Sequence, residues 1–317
     1  VRLRWWFLVE WAPFMLIMWA WWTRNRSVQY DLVNFHIAYP NCTRISLLRR
    51  MIRLPFVITE HWTAYHRDFG ATSQGVERIR NIFHQGVPVI AVSKALAQDI
   101  ILFAGPPGPV VHVVDNVVDP AIFHPDPAIK ATEGVFFAIA GWRLLKRPDV
   151  LLESLSQMRQ MGWPARLRMA GTGPKMDDMR QQITKLGLGR HVDLLGPLDE
   201  LAVADEIRSA HALLHASDYE TYSVVTAEAL CCGTPVIAAA VGAIPELVGP
   251  GMGRLPRTNE PAEWTATWAS AWHALLLVDR QTISNTMMKR ASIKSVGIRY
   301  AALLTDEIRK NNSRKTG

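Results

Sequence analysis

Between residues 134 and 240, short apolar runs alternate with amphipathic segments without a break. GVFFAIAG (134–141), ARLRMAG (165–171), HVDLLG (191–196), HALLHAS (211–217) and TPVIAAA (234–240) have strand length and composition. The segments between them, 147–162, 175–188, 199–210 and 224–233, read as helices; Val150, Leu151, Leu155 and Met158 mark the apolar face of the first. Strands separated by helices cannot pair as hairpins, so each connection crosses over. The pattern predicts an α/β fold with a parallel sheet wrapped on both faces. Ligands of such sheets bind outside the carboxyl ends of the strands. Polar residues directly after strands are therefore the candidates for chemistry.

The first half alternates more loosely. Strands are expected at 28–37, 53–61 and 87–93, a helix at 71–85, and a further short strand within PGPVVHVVDNVVDP. The Pro-rich, polar stretch at 124–133 reads as a linker. Three regions follow: residues 1–126, a first Rossmann-like domain with the Trp-rich start; 127–290, a second Rossmann-like domain that binds the ligand; and 291–317, a basic helical tail. With 317 residues, 49 % of them apolar, the chain can build two cores.

The net charge of +7 favours anionic partners: nucleotides, nucleic acid or a lipid surface. A nucleic-acid binder would show a basic, aromatic-lined stripe, and none is evident. Cys231 and Cys232 are adjacent and Cys42 is distant. No metal-ligand spacing occurs, and the three read as buried thiols in a reducing compartment. Residues 5–22, WWFLVEWAPFMLIMWAWW, hold six of the twelve tryptophans. Glu10, Pro13 and the flanking arginines leave three readings open: a buried helix, an interfacial helix or a span.

The residues that point most clearly to chemistry lie in ASDYETYSVVTAEALCCGTPVIAAAVGAIPELV, 216–248. Glu220 follows a strand and precedes a helix. Ser223, Val224 and Val225 would present free backbone amides at that helix start, an anion site suited to a diphosphate. Glu228 lies one turn further along the face of Val224. Two carboxylates flanking an anion site can hold sugar and ribose hydroxyls; alternatively Glu220 caps the helix and Glu228 is a surface charge. Arg143 and Lys146, in AGWRLLKRPD, would neutralise a diphosphate or form a solvated basic loop. Gly171 and Gly173, in AGTGPK, fit a phosphate turn or merely a tight turn. His61 ends the strand LPFVITE and is a candidate group, although a structural histidine fits equally there. Ser93 reads as a helix N-cap.

Together these stretches resemble glycosyltransferase family 4, over roughly residues 30–310 and most strongly over 134–248. Glu220 through Glu228 matches the family's Glu-x7-Glu motif, and Gly233, Pro235, Gly242 and Glu246 continue the pattern. AVSKALAQDI, NVVDPAIFHP and GWRLLKRPD resemble further family segments. The resemblance implies a GT-B fold of two Rossmann-like domains, and a nucleotide-diphosphate sugar as donor. It implies that Arg143 and Lys146 meet the diphosphate, Glu220 the donor sugar, the amides of Ser223 and Val224 the phosphate, and Glu228 the ribose. His61 would reach the transferred sugar. The expected reaction retains the anomeric configuration and needs neither a resident cofactor nor a metal. Nothing before Val28 matches the strand, glycine-rich loop and helix with which the family opens, so the first domain reads as truncated. The alternatives are a GT-B nucleotide-sugar epimerase or hydrolase, and an inactive nucleotide-sugar-binding fragment. The acceptor is not legible. The expected location is the cytoplasm, with peripheral contact at the inner membrane face left open by the Trp-rich start.

Overall fold

The computed structural model describes residues 20, 23–24, 29–67 and 72–316. The readings placed on residues 5–22 fall outside these, Ala20 apart. Two parallel sheets organise the chain. The first has the order β1 (Val33–His36), β2 (Phe56–Glu60), β3 (Val89–Ala91) and β4 (Val111–Val113). The second has the order β10-β9-β8-β5-β6-β7, from β5 (Val135–Ile139), β6 (Arg166–Ala170), β7 (Val192–Gly196), β8 (Leu213–His215), β9 (Val236–Ala238) and β10 (Gly253–Arg254). All pairings within both sheets are parallel, as the alternation requires. The strands are shorter than the apolar runs that contain them, because the ends of the runs turn away to form the site loops.

Covered strands are buried on both faces: every residue of β2, β3, β8 and β9 is buried. That explains their continuous apolar runs. In the first domain, helices α1 (Ile45–Met51), α2 (Ser73–Phe83) and α3 (Lys94–Ala104) connect the strands. Thr72 and Ser93 cap the last two by accepting from Gly75 N and Leu96 N. In the second lie α4 (Pro148–Gln160), α5 (Met176–Lys185), α6 (Glu200–Ser209), α7 (Val224–Cys231), α8 (Ile244–Leu247), α9 (Pro261–Leu276) and α10 (Arg280–Ala291). Trp264, Trp268 and Trp272 recur at i, i+4 and i+8 on α9 and are fully buried. Trp268 meets the edge of Phe136 on β5 with ring centroids 4.5 Å apart. The three cysteines are buried and unpaired.

The last helix, α11 (Ile293–Thr316), returns to the first sheet. Val296 packs with Val57, Ile90 and Val114, and Tyr300 Oη accepts from Asn34 Nδ2 at 2.6 Å. Buried Asp115 is clamped by Arg290 at 2.7 Å and Arg299 at 2.9 Å. The tail is therefore part of the first domain's packing and ties it to the second. Among the described residues no helix is long and apolar enough to cross a membrane.

Candidate functional site

The carboxyl edge of the second sheet opens into a cleft of about 510 Å³. β8 ends at His215 and the chain turns through 216–223 into α7. Glu220 lies in that turn, 9 % exposed. Two neighbours fix its carboxylate. His215 Nε2 lies 2.8 Å from Oε1, and Lys146 Nζ donates to the same oxygen. Burial acts to raise the Glu220 pKa, but the charges and hydrogen bonds of His215 and Lys146 outweigh it and hold the carboxyl down at about 2. Glu220 therefore does not cap α7.

The backbone of Glu220 is fixed from behind. Ala243 N donates to its carbonyl at 2.9 Å. Gly242, in the left-handed region at φ +50°, lies so close that any Cβ there would collide with that carbonyl oxygen. A glycine at this position lets the loop before α8 press against the site.

Ser223 precedes α7 at φ +70°, a left-handed conformation that is uncommon outside glycine and asparagine. Its hydroxyl pairs with Thr226 at 2.8 Å instead of covering the helix start. Strained backbone of this kind gathers at ligand sites. Ser223, Val224 and Val225 line the cleft, with the first turn of α7 opening into it. Glu228 lines it one turn further on. Burial, and secondarily the charge of Glu200, pushes the Glu228 carboxyl up to about 7.

Lys146 enters the site because its loop is stitched to the segment after β8. Lys146 bridges Ser217, Arg147 N donates to Ala216 O at 3.1 Å, and Asp218 N to Leu145 O at 2.9 Å. Arg143 sits at the other end of that loop. It is exposed beside Gly141 and is not among the residues lining the cleft. Gly171 lines the cleft at φ +101°, against the Ala140 carbonyl, where a Cβ would clash. Gly173 packs on the Trp142 backbone, outside the lining.

His61 is held on the first domain, also outside this lining. Buried Glu60 fixes its loop by accepting from Ala38 N at 3.0 Å and His61 N at 3.1 Å. The His61 ring stacks on His36 with centroids 5.6 Å apart. Burial, then the neighbouring His36, lowers its pKa against a hydrogen bond with Asn116 that raises it. The structure thus brings together Lys146, Gly171, Glu220, Ser223, Val224 and Glu228 in the lining of one cleft; Arg143, Gly173 and His61 are not part of that lining.

Sequence reasoning missed His215, Glu200, Leu198 and Phe123, which also line the cleft. The one available signal was a histidine closing an otherwise apolar strand. It missed the closing contacts too: Glu246 Oε1 and Oε2 accept from Ala95 N at 2.7 Å and Lys94 N at 3.0 Å, across the two domains. Tyr219, next to Glu220, stacks on His66 with centroids 3.7 Å apart and donates to Asp99.

Comparison with known proteins bears on the family and the fold. Residues 121–272 match the model for glycosyl transferases group 1, and residues 2–122 the model for Glycosyltransferase Family 4. Together the two matches span residues 2–272 and identify a family 4-like glycosyltransferase. Among curated family relatives, the phosphatidylinositol N-acetylglucosaminyltransferase gpi3 subunit of Schizosaccharomyces pombe is 32 % identical over 54 % of this chain and 38 % of its own length. The N-acetyl-alpha-D-glucosaminyl L-malate synthase of Bacillus anthracis is 26 % identical over 82 % of this chain and 68 % of its own. A D-inositol 3-phosphate glycosyltransferase of Catenulispora acidiphila is 30 % identical over 56 % and 46 %. The matches thus span between 38 and 68 % of these relatives. Among solved structures, sucrose-phosphate synthase from Thermosynechococcus elongatus superposes with a TM-score of 0.77 at 18 % identity, covering 94 % of this chain and 78 % of that one. Anabaena HepE in complex with UDP and glucose gives 0.72 at 21 %, covering 87 % and 78 %. The chain therefore has the GT-B fold, with which its two parallel sheets agree.

Proposed function

We propose that this chain transfers a sugar from a nucleotide-diphosphate sugar to an acceptor hydroxyl, with retention of anomeric configuration. The observation that carries the reading is the convergence, in one cleft, of a carboxylate held ionised by Lys146 and His215, an open helix start, and a second carboxylate one turn along that helix. HepE, which shares the fold, was solved with UDP and glucose, and with UDP-glucose.

On this reading the diphosphate lies at the start of α7, where amides and helix dipole favour anions. Lys146 exchanges part of its pairing with Glu220 for the leaving phosphate. Its cation stabilises the charge that develops as the C1–O bond breaks. Glu220 holds hydroxyls of the transferred sugar, and Glu228 the ribose diol. The acceptor hydroxyl attacks C1 on the face that the phosphate leaves, and its proton passes to the departing phosphate oxygen. No protein nucleophile and no metal is needed for that sequence of bond changes. Arg143, at the exposed end of the same loop, adds a second cation to the diphosphate.

The test is donor turnover followed by proton NMR. Each nucleotide sugar is incubated with the chain, and the anomer first released to water or to a simple alcohol is read. The reading expects the donor's own anomer. Release of the opposite anomer would exclude it, and binding without release would identify a nucleotide-sugar-binding chain.

A further inference from the structure

The basic charge of this protein is concentrated at one end of the chain. Residues 1–59 hold eight arginines and no lysine against Glu10 and Asp31, a net +6 of the total +7. The donor cleft accounts for none of it: Lys146 lies elsewhere, and the rest of the chain is almost neutral.

The described part of this region presents a helix with two distinct faces. Ile45, Leu48 and Ile52, at i, i+3 and i+7, pack α1 and its C-cap against the first domain's core. The opposite face carries Arg44, Leu47, Arg50 and Met51, at i, i+3, i+6 and i+7. Leu47 is 48 % exposed and Met51 61 %. Arg50 is exposed between them, and Arg53 follows directly. No acidic residue occurs between Asp31 and Glu60. Exposed apolar side chains interleaved with arginines are ill suited to water alone, but they match a surface with an apolar interior and an anionic rim.

A second feature adjoins this face. A cavity of about 320 Å³ opens beside the C-terminal end of α1, among Arg49, Leu54, Phe56, Val110 and the ion pair of Lys310 with Glu307. Val110 is 65 % exposed at its mouth. The cavity lies at the amino ends of β2 and β4, on the edge of the sheet opposite to His36 and His61. A surface covering α1 and this cavity leaves the carboxyl edge, and the donor cleft, open.

We propose that the outer face of α1, with the adjoining cavity, docks onto an anionic lipid surface. Leu47 and Met51 enter the acyl boundary, and Arg50 with its neighbours meets lipid phosphates. The docking does not depend on the donor reading, since none of these residues lines the donor cleft.

The experiment is co-sedimentation of the full chain with phosphatidylcholine vesicles, with and without phosphatidylglycerol. It is repeated for the double variant Leu47→Asp, Met51→Asp and for Arg50→Glu. Nucleotide-sugar binding and the thermal midpoint serve as folding controls. The chain should sediment with phosphatidylglycerol vesicles alone. The double variant should weaken that binding about tenfold or more, and Arg50→Glu severalfold, both with a folded donor domain. Indifference to phosphatidylglycerol would overturn the proposal. So would a double variant that binds like wild type, which would move the contact to another part of the chain. Loss in Arg50→Glu alone, with heparin competing, would assign the surface to polyanions in place of lipid.

Discussion

His215 Nε2 lies 2.8 Å from Glu220 Oε1, so the last residue of β8 directly sets the state of the carboxylate five residues on. Glu220 is held at about 2, below its ordinary 4.5, because His215 and Lys146 outweigh the cost of burial. Removing either partner raises that value. In His215→Ala the acidic limb of the turnover profile should move to higher pH. Lys146→Ala should do the same and also lower turnover by about a hundredfold or more, as expected when a group stabilising a leaving anion is lost. Profiles that superpose on wild type would detach Glu220 from the reaction.

The sign for stability follows from the same shift. Glu220's folded value lies below its unfolded one, so its contribution is complete above about 4.5 and is lost as pH falls towards 2. Glu228 behaves oppositely. Its folded value, about 7, lies above the ordinary 4.5, so the folded chain binds the proton more tightly and stability declines as pH rises from 4.5 through 7. Glu228→Gln should remove that decline. It should be more stable than wild type at pH 8 and equal to it at pH 4, as read by urea midpoints, while losing donor affinity by about 1–3 kcal/mol.

Gly242 supports Glu220 through backbone contact. Gly242→Ala combines a left-handed φ with a collision against the Glu220 carbonyl oxygen, and should cost about 2 kcal/mol or more. Gly189→Ala, with open space around it, should stay within about 0.5 kcal/mol of wild type. Thermal melts of the two variants decide this.

Glu246 joins the domains by accepting from the first two amides of α3. Glu246→Ala should cost on the order of 1 kcal/mol, the usual worth of such a cap. It should also enlarge the radius of gyration in small-angle scattering without donor. An unchanged scattering curve would show that Arg290 and Arg299, on Asp115, suffice to hold the closed arrangement.

The parts of this site legible in the sequence are those set by local geometry. Glu220, Ser223 and Glu228 follow from a strand, a turn and one helical turn, whose spacings are fixed by the chain itself. The parallel sheets follow from the alternation for the same reason. Lys146 and Arg143 could not be told apart, because the choice rests on the Lys146–Ser217 bridge between segments 71 residues apart. His215 was hidden because an apolar strand gives no sign of what its last side chain faces. The stacking of His61 on His36 joins residues 25 apart at the ends of neighbouring strands, a contact that no local spacing encodes. The packing of α11 on the first sheet depends on Tyr300 finding Asn34, which no periodicity encodes.

The most direct test of the donor site is a calorimetric titration of the chain, and of Lys146→Ala, with UDP-, GDP- and ADP-sugars. The account predicts that at least one of them binds the wild type, and that Lys146→Ala weakens it by about tenfold or more. A folded wild-type chain that binds none of them, or a Lys146→Ala variant that binds equally well, would contradict it.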